Sequence, residues 1–242
     1  MSEQGNGVRI LVVNADDFGA SDGVNEGIIT AYERGIVTSA SLMVRGAAAD
    51  AAADYAWDSR LSVGLHFDLG EWAWADGDWR ALYELVDLSD PAAVQDELDR
   101  QLAAFTDLVG RPPTHLDSHQ HVHREEPVHS ALAGAGWRMH IPVRNATPGG
   151  IVYDGGFYGQ EDKGVANAEA ITVDALVALI EGLAPGVTEV GCHPAARDDL
   201  DTMYRRERIT ELATLCDPRL REVIERTGVL LCGFADLALF IT

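Results

Sequence analysis

The chain has 242 residues, 47% hydrophobic and 24% charged, the balance of a globular protein long enough to bury roughly 70–75% of its unfolded surface. Its 39 acidic against 18 basic residues give a formal charge of −21, which disfavours nucleic acid or a membrane as partner and favours a neutral or cationic small substrate. The acidic surplus runs along the whole chain, so adaptation for solubility or a salty cytoplasm explains it as well. Cys192, Cys216 and Cys232 are odd in number and lack CxxC spacing, so neither a disulfide framework nor a thiolate zinc site is indicated. The polar Met1–Val8 stretch carries no basic-then-apolar signal pattern, and a cytoplasmic protein is expected.

The first apolar run, Arg9–Asn14, reads as a buried strand. It leads into Asn14-Ala15-Asp16-Asp17-Phe18-Gly19, with two adjacent carboxylates at the strand end. Successive strand residues face opposite ways, so Asp16 and Asp17 share a site only if the chain has begun to turn. One can then bind a metal while the other serves as a base; a helix cap or turn is the alternative. Thr38–Val44 and Val63–Leu69 are the next strands, the latter carrying His66, which alone would read as a core or rim histidine.

Glu71–Trp79 concentrates Trp72, Trp74 and Trp79 in a loop, to serve as a substrate wall or to pack on the body. Pro91–Val109 is helical, with Val94, Leu98, Leu102 and Phe105 at steps of three and four behind an Asp90 cap. The strand His115–Ser118 opens a cluster of His115, His119, His121, His123 and His129. A strand over His140–Val143 ends at Arg144, and Asn145–Ala170 is a long Gly-rich loop bearing Tyr153, Phe157 and Tyr158. Thr172–Leu183 and Pro218–Thr227 are helices, Thr188–His193 and Val229–Phe234 strands. Cys192 reads as a small buried residue.

Strands alternating with helices predict an α/β fold: a single TIM-like (β/α) barrel domain over residues 1–242 with about seven parallel strands, irregular or incomplete in closure, and insertions near 70–80 and 145–170. Polar residues follow the apolar runs where barrel chemistry sits: Asn14–Asp17, His66, Asp117–His123, Arg144 and His193. A carboxylate with two histidines makes an N/O site for one divalent metal, Mg²⁺ or Zn²⁺, with positions left open for water and substrate. Such an ion activates water, so a nucleophilic Ser or Cys is unnecessary, and no GxSxG elbow is present. His193, before Pro194, can act as a general acid. Which histidine of the cluster binds stays open on these grounds.

In order, the blocks Asn14–Gly19, Gly27–Ile29, Gly35–Ser39, Gly64-Leu65-His66, Pro113–His123 and Cys192-His193-Pro194 resemble the YdjC-like (ChbG/HpnK) carbohydrate deacetylases, over essentially the whole chain. The resemblance implies a TIM-type barrel and metal-dependent hydrolysis of an N-acetyl group on an amino sugar or oligosaccharide, usually with Mg²⁺. It implies Asp17, His66 and His119 as metal ligands, Asp16 as base and His193 as acid. His121 and His123 would then stand behind the ligands or face the substrate. The Trp-rich loop and Asn145–Ala170 match no pattern of that family; from their place in the long loops and at the rim, Trp72, Trp74, Tyr158 and Arg144 are expected as substrate contacts. Many relatives have a third consecutive histidine where this chain has Gln120, and glutamine cannot shuttle protons. The partner expected is an N-acetylated sugar; a homodimer is left open. The rival readings are a metal phosphoesterase or glycosidase on the same barrel, separable by the product released, and a non-catalytic metal- or sugar-binding module, whose metal would be coordinatively closed.

Overall fold

A computed structural model describes residues 7–147 and 150–239. The start of the polar N-terminal stretch and two residues of the 145–170 loop lie outside them. The elements in chain order are β1 (Arg9–Phe18), α1 (Asp22–Arg34), β2 (Ser39–Leu42), α2 (Ala49–Asp58), β3 (Ser62–Phe67), β4 (Gly70–Ala75), β5 (Asp78–Glu84), α3 (Pro91–Val109), β6 (Leu116–Ser118), α4 (Val128–Met139), β7 (Ile151–Asp154), α5 (Val173–Gly182), β8 (Gly186–Cys192), α6 (Arg206–Leu215), α7 (Pro218–Thr227) and β9 (Leu230–Leu231). Seven of the strands form one parallel sheet in the order β6-β3-β2-β1-β8-β7, with β9 added against the start of β1. Helices between parallel partners are what such crossovers require. No helix among the described residues is long and apolar enough to cross a membrane.

Among the described residues no ladder joins β6 to β7, so the sheet is a partial barrel and not a closed TIM ring. The predicted strand at His140–Val143 is part of the reason. His140 instead caps α4 in the left-handed region (φ 57°), and Pro142 has no N–H to give, which leaves one isolated bridge between Val143 and Leu116. The predicted loop at Glu71–Trp79 is in fact the antiparallel hairpin β4–β5. Its turn is Asp76-Gly77, both with positive φ (52° and 86°), the geometry for which Asp-Gly is the strongest short signal. Within the 145–170 segment β7 adds an edge strand that the sequence reading lacked. The α3 and α7 boundaries agree with their caps: Asp90 and Asp217 accept backbone N–H groups, and Gly110 and Gly228 end the helices at φ 72° and 67°.

The two faces of the sheet bury different things. Leu11, Val13 and Ala15 belong to the large apolar core that also takes in the helices, whereas Ile10 and Val12 pack with Val187, Phe234 and Leu237 in a small inner cluster. This inner cluster closes the bottom of the partial barrel: after β9, the Phe234 and Ala235 amides donate to Ser39 Oγ and Ser62 Oγ. Above it, the same alternating positions turn polar: Asn14 and Asp16 on β1, Ser41 on β2, His66 on β3, Asp117 on β6 and Glu189 on β8, all buried.

Candidate functional site

Asp16 and Asp17 reach one site because the β1 ladder slips between Ala15 and Phe18, and Asp17 takes φ 67°. A non-glycine residue held there costs on the order of 1 kcal/mol and turns the second carboxylate to the side of the first. Asp17 Oδ1 then lies 3.2 Å from His66 Nε2 and 2.9 Å from His119 Nδ1. Behind His66, Asp117 Oδ1 accepts from Nδ1 at 2.7 Å. That bond fixes the ring so that Nε2 faces Asp17, the usual device for orienting a metal-bound histidine. Gly64 makes room for this packing, since a Cβ there would meet the His115 ring at 2.5 Å.

Asp17, His66 and His119 thus form a group in which each side chain offers one ligand atom within 4.8 Å of the others, all three residues buried. The donor set suits a divalent cation: a carboxylate oxygen faces two imidazole nitrogens, and such acceptors stay together only around a proton or a metal. Burial works against charge on both His66 and Asp17. The Asp117 and Asp17 carboxylates nevertheless hold the His66 imidazole well above its usual range, and Arg208 with His119 holds the Asp17 carboxyl well below its own.

Asp16 sits beside this triad with both oxygens engaged. Arg144 grips Oδ2 through Nη1 and Oδ1 through Nη2, each at 2.7 Å, and Asn14 Nδ2 donates to Oδ1 at 2.8 Å. Burial raises the carboxyl, but Arg144 outweighs it and keeps Asp16 ionised. Arg144 itself is shared with Asp117 at 2.9 Å and Glu189 at 2.7 Å. Burial lifts Glu189 to about 7 even so. His193 Nε2 stands 3.8 Å from Asp16 Oδ2, and its backbone N–H donates to Glu211 Oε2 at 2.5 Å. Burial lowers the His193 imidazole to about 4, only partly offset by Asp16 and Asp17.

The triad opens into a cleft of about 640 Å³ lined by Trp72, Gln120, His121, Tyr153, Tyr158, His193 and Tyr204 among others. A second cavity of about 410 Å³, lined by Arg45, Asp68 and Tyr83, shares Asp17, Glu71, His119, Thr202 and Arg208 with the first. Trp72, His121 and Tyr158, the expected substrate contacts, line the larger cleft. Arg144, His123 and Trp74 are not among the lining residues. Arg144 is drawn inward by Asp16, Asp117 and Glu189, away from the cavities where the sequence placed it. His123 is 1% exposed, bonded to Ser118 Oγ and Asn145. Trp74 packs edge-on to Trp79 at 5.7 Å, with the Lys163 ammonium over its ring at 4.5 Å.

Several residues of the site escaped the sequence reading. Tyr204, Arg208 and Glu211 recur at helical spacing along α6 and its approach, and Arg208 Nη2 donates to Asp17 Oδ2 at 2.6 Å. Tyr204 stacks on Tyr158 at 4.4 Å and donates its hydroxyl to Glu211. The sequence offers no local signal for them, because α6 buries Arg208, Glu211 and Thr214, residue types that on a helix ordinarily face solvent. Gln120 acts as a brace between segments. Its side-chain amide donates to Trp72 O at 2.9 Å and accepts from Trp72 N at 3.0 Å, tying β4 to the His119 segment.

A carboxylate–dihistidine group with a flanking carboxylate and histidine, at the C-terminal ends of parallel strands, defines a hydrolase-like barrel site. The chain belongs to the YdjC-like protein family, whose model matches residues 10–226. It is 34% identical to the chitooligosaccharide deacetylase of Serratia marcescens over 95% of this chain and 99% of that one. It is 35% identical to the carbohydrate deacetylase of Geobacillus stearothermophilus, over 94% and 98% of the two chains. Among solved structures, an Enterococcus faecalis V583 protein named for cellobiose-phosphate cleavage superposes with a TM-score of 0.71 at 27% identity, covering 95% of this chain and 99% of that one. A family 4 carbohydrate esterase from Streptomyces lividans shares the fold, with a TM-score of 0.55 at 14% identity over 94% and 92% of the chains.

Proposed function

We propose that the protein is a carbohydrate deacetylase that hydrolyses the N-acetyl group of an amino sugar or oligosaccharide. The observation that carries this reading is the convergence of Asp17, His66 and His119 beside Asp16 and His193, in a chain about one-third identical to named carbohydrate deacetylases along its length. Asp17, His66 and His119 would hold one divalent cation, Mg²⁺ first and Zn²⁺ as the alternative, whose Lewis acidity lowers the pKa of water and polarises the acyl oxygen.

The chain's own residues account for the proton traffic. Asp16, kept ionised and aimed by Arg144, accepts a proton from the attacking water. His193 is neutral at rest, since burial has lowered its pKa to about 4, so it has no resident proton to give. The proton taken by Asp16 passes across the 3.8 Å gap to His193 Nε2, which releases it to the departing nitrogen. One water proton ends on the amine, and both residues return to their starting states. Tyr158, Tyr153 and Trp72 offer ring faces on which a sugar packs.

Acetate release from a panel of N-acetylated mono- and oligosaccharides, with Mg²⁺, Zn²⁺ and Co²⁺ in turn, tests the reading. Acetate and free amine in equal amounts are expected. Reducing sugar or phosphate released in place of acetate would favour the glycosidase or phosphoesterase alternative, and no turnover of any substrate would favour a binding module.

A further inference from the structure

Two arginines lie in the site, and they are not equivalent. Arg144 has Nε, Nη1 and Nη2 all bonded to carboxylates. Arg208 is 4% exposed and is fixed at two of its three nitrogens, Nε to Tyr204 O at 2.7 Å and Nη2 to Asp17 Oδ2 at 2.6 Å. Its Nη1 is buried with no hydrogen-bond partner among the described residues. A buried guanidinium N–H left without an acceptor is costly, and it persists where a ligand supplies the acceptor. Arg208 also lines both cavities, at the point where they share Asp17 and His119. A single carboxylate balances its charge, whereas three surround Arg144.

We infer that Arg208 is a catalytic residue whose Nη1–H donates to the acyl oxygen of the bound substrate and stabilises the negative charge that develops there. The inference rests on the deacetylase reading. As the water oxygen adds to the acyl carbon, the C=O π pair moves onto the acyl oxygen and the Nη1 hydrogen bond strengthens. When that pair returns, C=O re-forms, the C–N bond breaks and nitrogen leaves with the proton from His193. Arg208 keeps all its protons throughout, as an arginine must. Its Tyr204 and Asp17 anchors hold the guanidinium in place before substrate arrives, so little reorganisation accompanies the reaction.

The test compares Arg208→Met with wild type on an N-acetylated chitooligosaccharide and on its N-thioacetyl counterpart, whose sulfur is a poor hydrogen-bond acceptor. Metal content is measured on each preparation. Loss of the donor should lower kcat on the acetyl substrate by about 10²–10³-fold with KM little changed. The same substitution should cost much less on the thioacetyl substrate, with metal retained. An equal loss on both substrates, or a loss that tracks metal content, overturns the role and leaves the deacetylase reading standing. A wild-type protein that releases acetate from no sugar fails the deacetylase reading and takes the Arg208 role with it. Should Arg208→Met not fold, Arg208→Lys keeps a cation beside Asp17 and is read by the same comparison.

Discussion

Adjacent carboxylates with different partners lie at the centre of the proposed site. Asp16 is locked to Arg144 with His193 Nε2 3.8 Å away, while Asp17 faces His66 and His119. Asp16→Asn should therefore retain the metal, measured by elemental analysis, and lower kcat by on the order of 10²–10⁴. Full turnover in that variant would remove Asp16 from the chemistry. In the proposed relay, His193 sets the pH dependence. It is faced by Asp16 and Asp17 from β1, His66 from β3, Arg208 near the start of α6, and the rings of Tyr158 and Tyr204. Because its folded pKa lies at about 4, the neutral form needed to receive a proton is present above that value and is lost as pH falls through it. The kcat/KM profile should stay level through neutrality and fall on the acid side near 4; a loss of activity between pH 6 and 8 that disappears in His193→Gln would contradict the relay. The pair of carboxylates, His66 and the histidine cluster were visible in the sequence because their residue types are rare at strand ends. Arg208 and Glu211 were not, because a charged residue on a helix ordinarily faces solvent and nothing local marks these two as buried.

Elements with caps and period were legible, and those defined by long-range pairing were less so. Asp90-Pro91 and Gly110 delimit α3 within the sequence itself. By contrast, His140–Val143 looked like a strand on composition, and only its neighbours decide that a capped helix end and a proline occupy that place. The hairpin β4–β5 is masked in the sequence because the tryptophans of Glu71–Trp79 suggest a loop, although the residues pair about the Asp76-Gly77 turn. Its seat on the site depends on Gln120, which holds both backbone polar groups of Trp72. Gln120→Ala removes two neutral hydrogen bonds, together about 1–3 kcal/mol, of which partial compensation by water leaves a roughly 5–10-fold effect. Exchange of the Trp72 amide should accelerate by about that factor. KM for an oligosaccharide should rise with kcat nearly unchanged. A fall in kcat at constant KM would instead place Gln120 in the chemistry.

At the scale of the whole chain, one alternation organises the molecule: the inner face of the sheet begins as an apolar plug of Ile10, Val12 and Val187 and ends as a polar shaft of Asn14, Asp16 and Glu189. Polar residues recurring every second position inside apolar runs carried that information in the sequence. The sequence left the barrel irregular or incomplete without saying where it opens, because closure depends on whether two distant edges meet. The central claim is that the Asp17–His66–His119 group is the centre of a sugar deacetylase. Metal titration of chelator-stripped protein tests it most directly, with acetate release followed on an N-acetylated sugar for wild type and Asp17→Ala. Activity should return with one equivalent of metal per chain in wild type, while Asp17→Ala should bind none and release no acetate. Undiminished acetate release by stripped wild-type protein, or restoration of Asp17→Ala by the same single equivalent, would contradict the assignment.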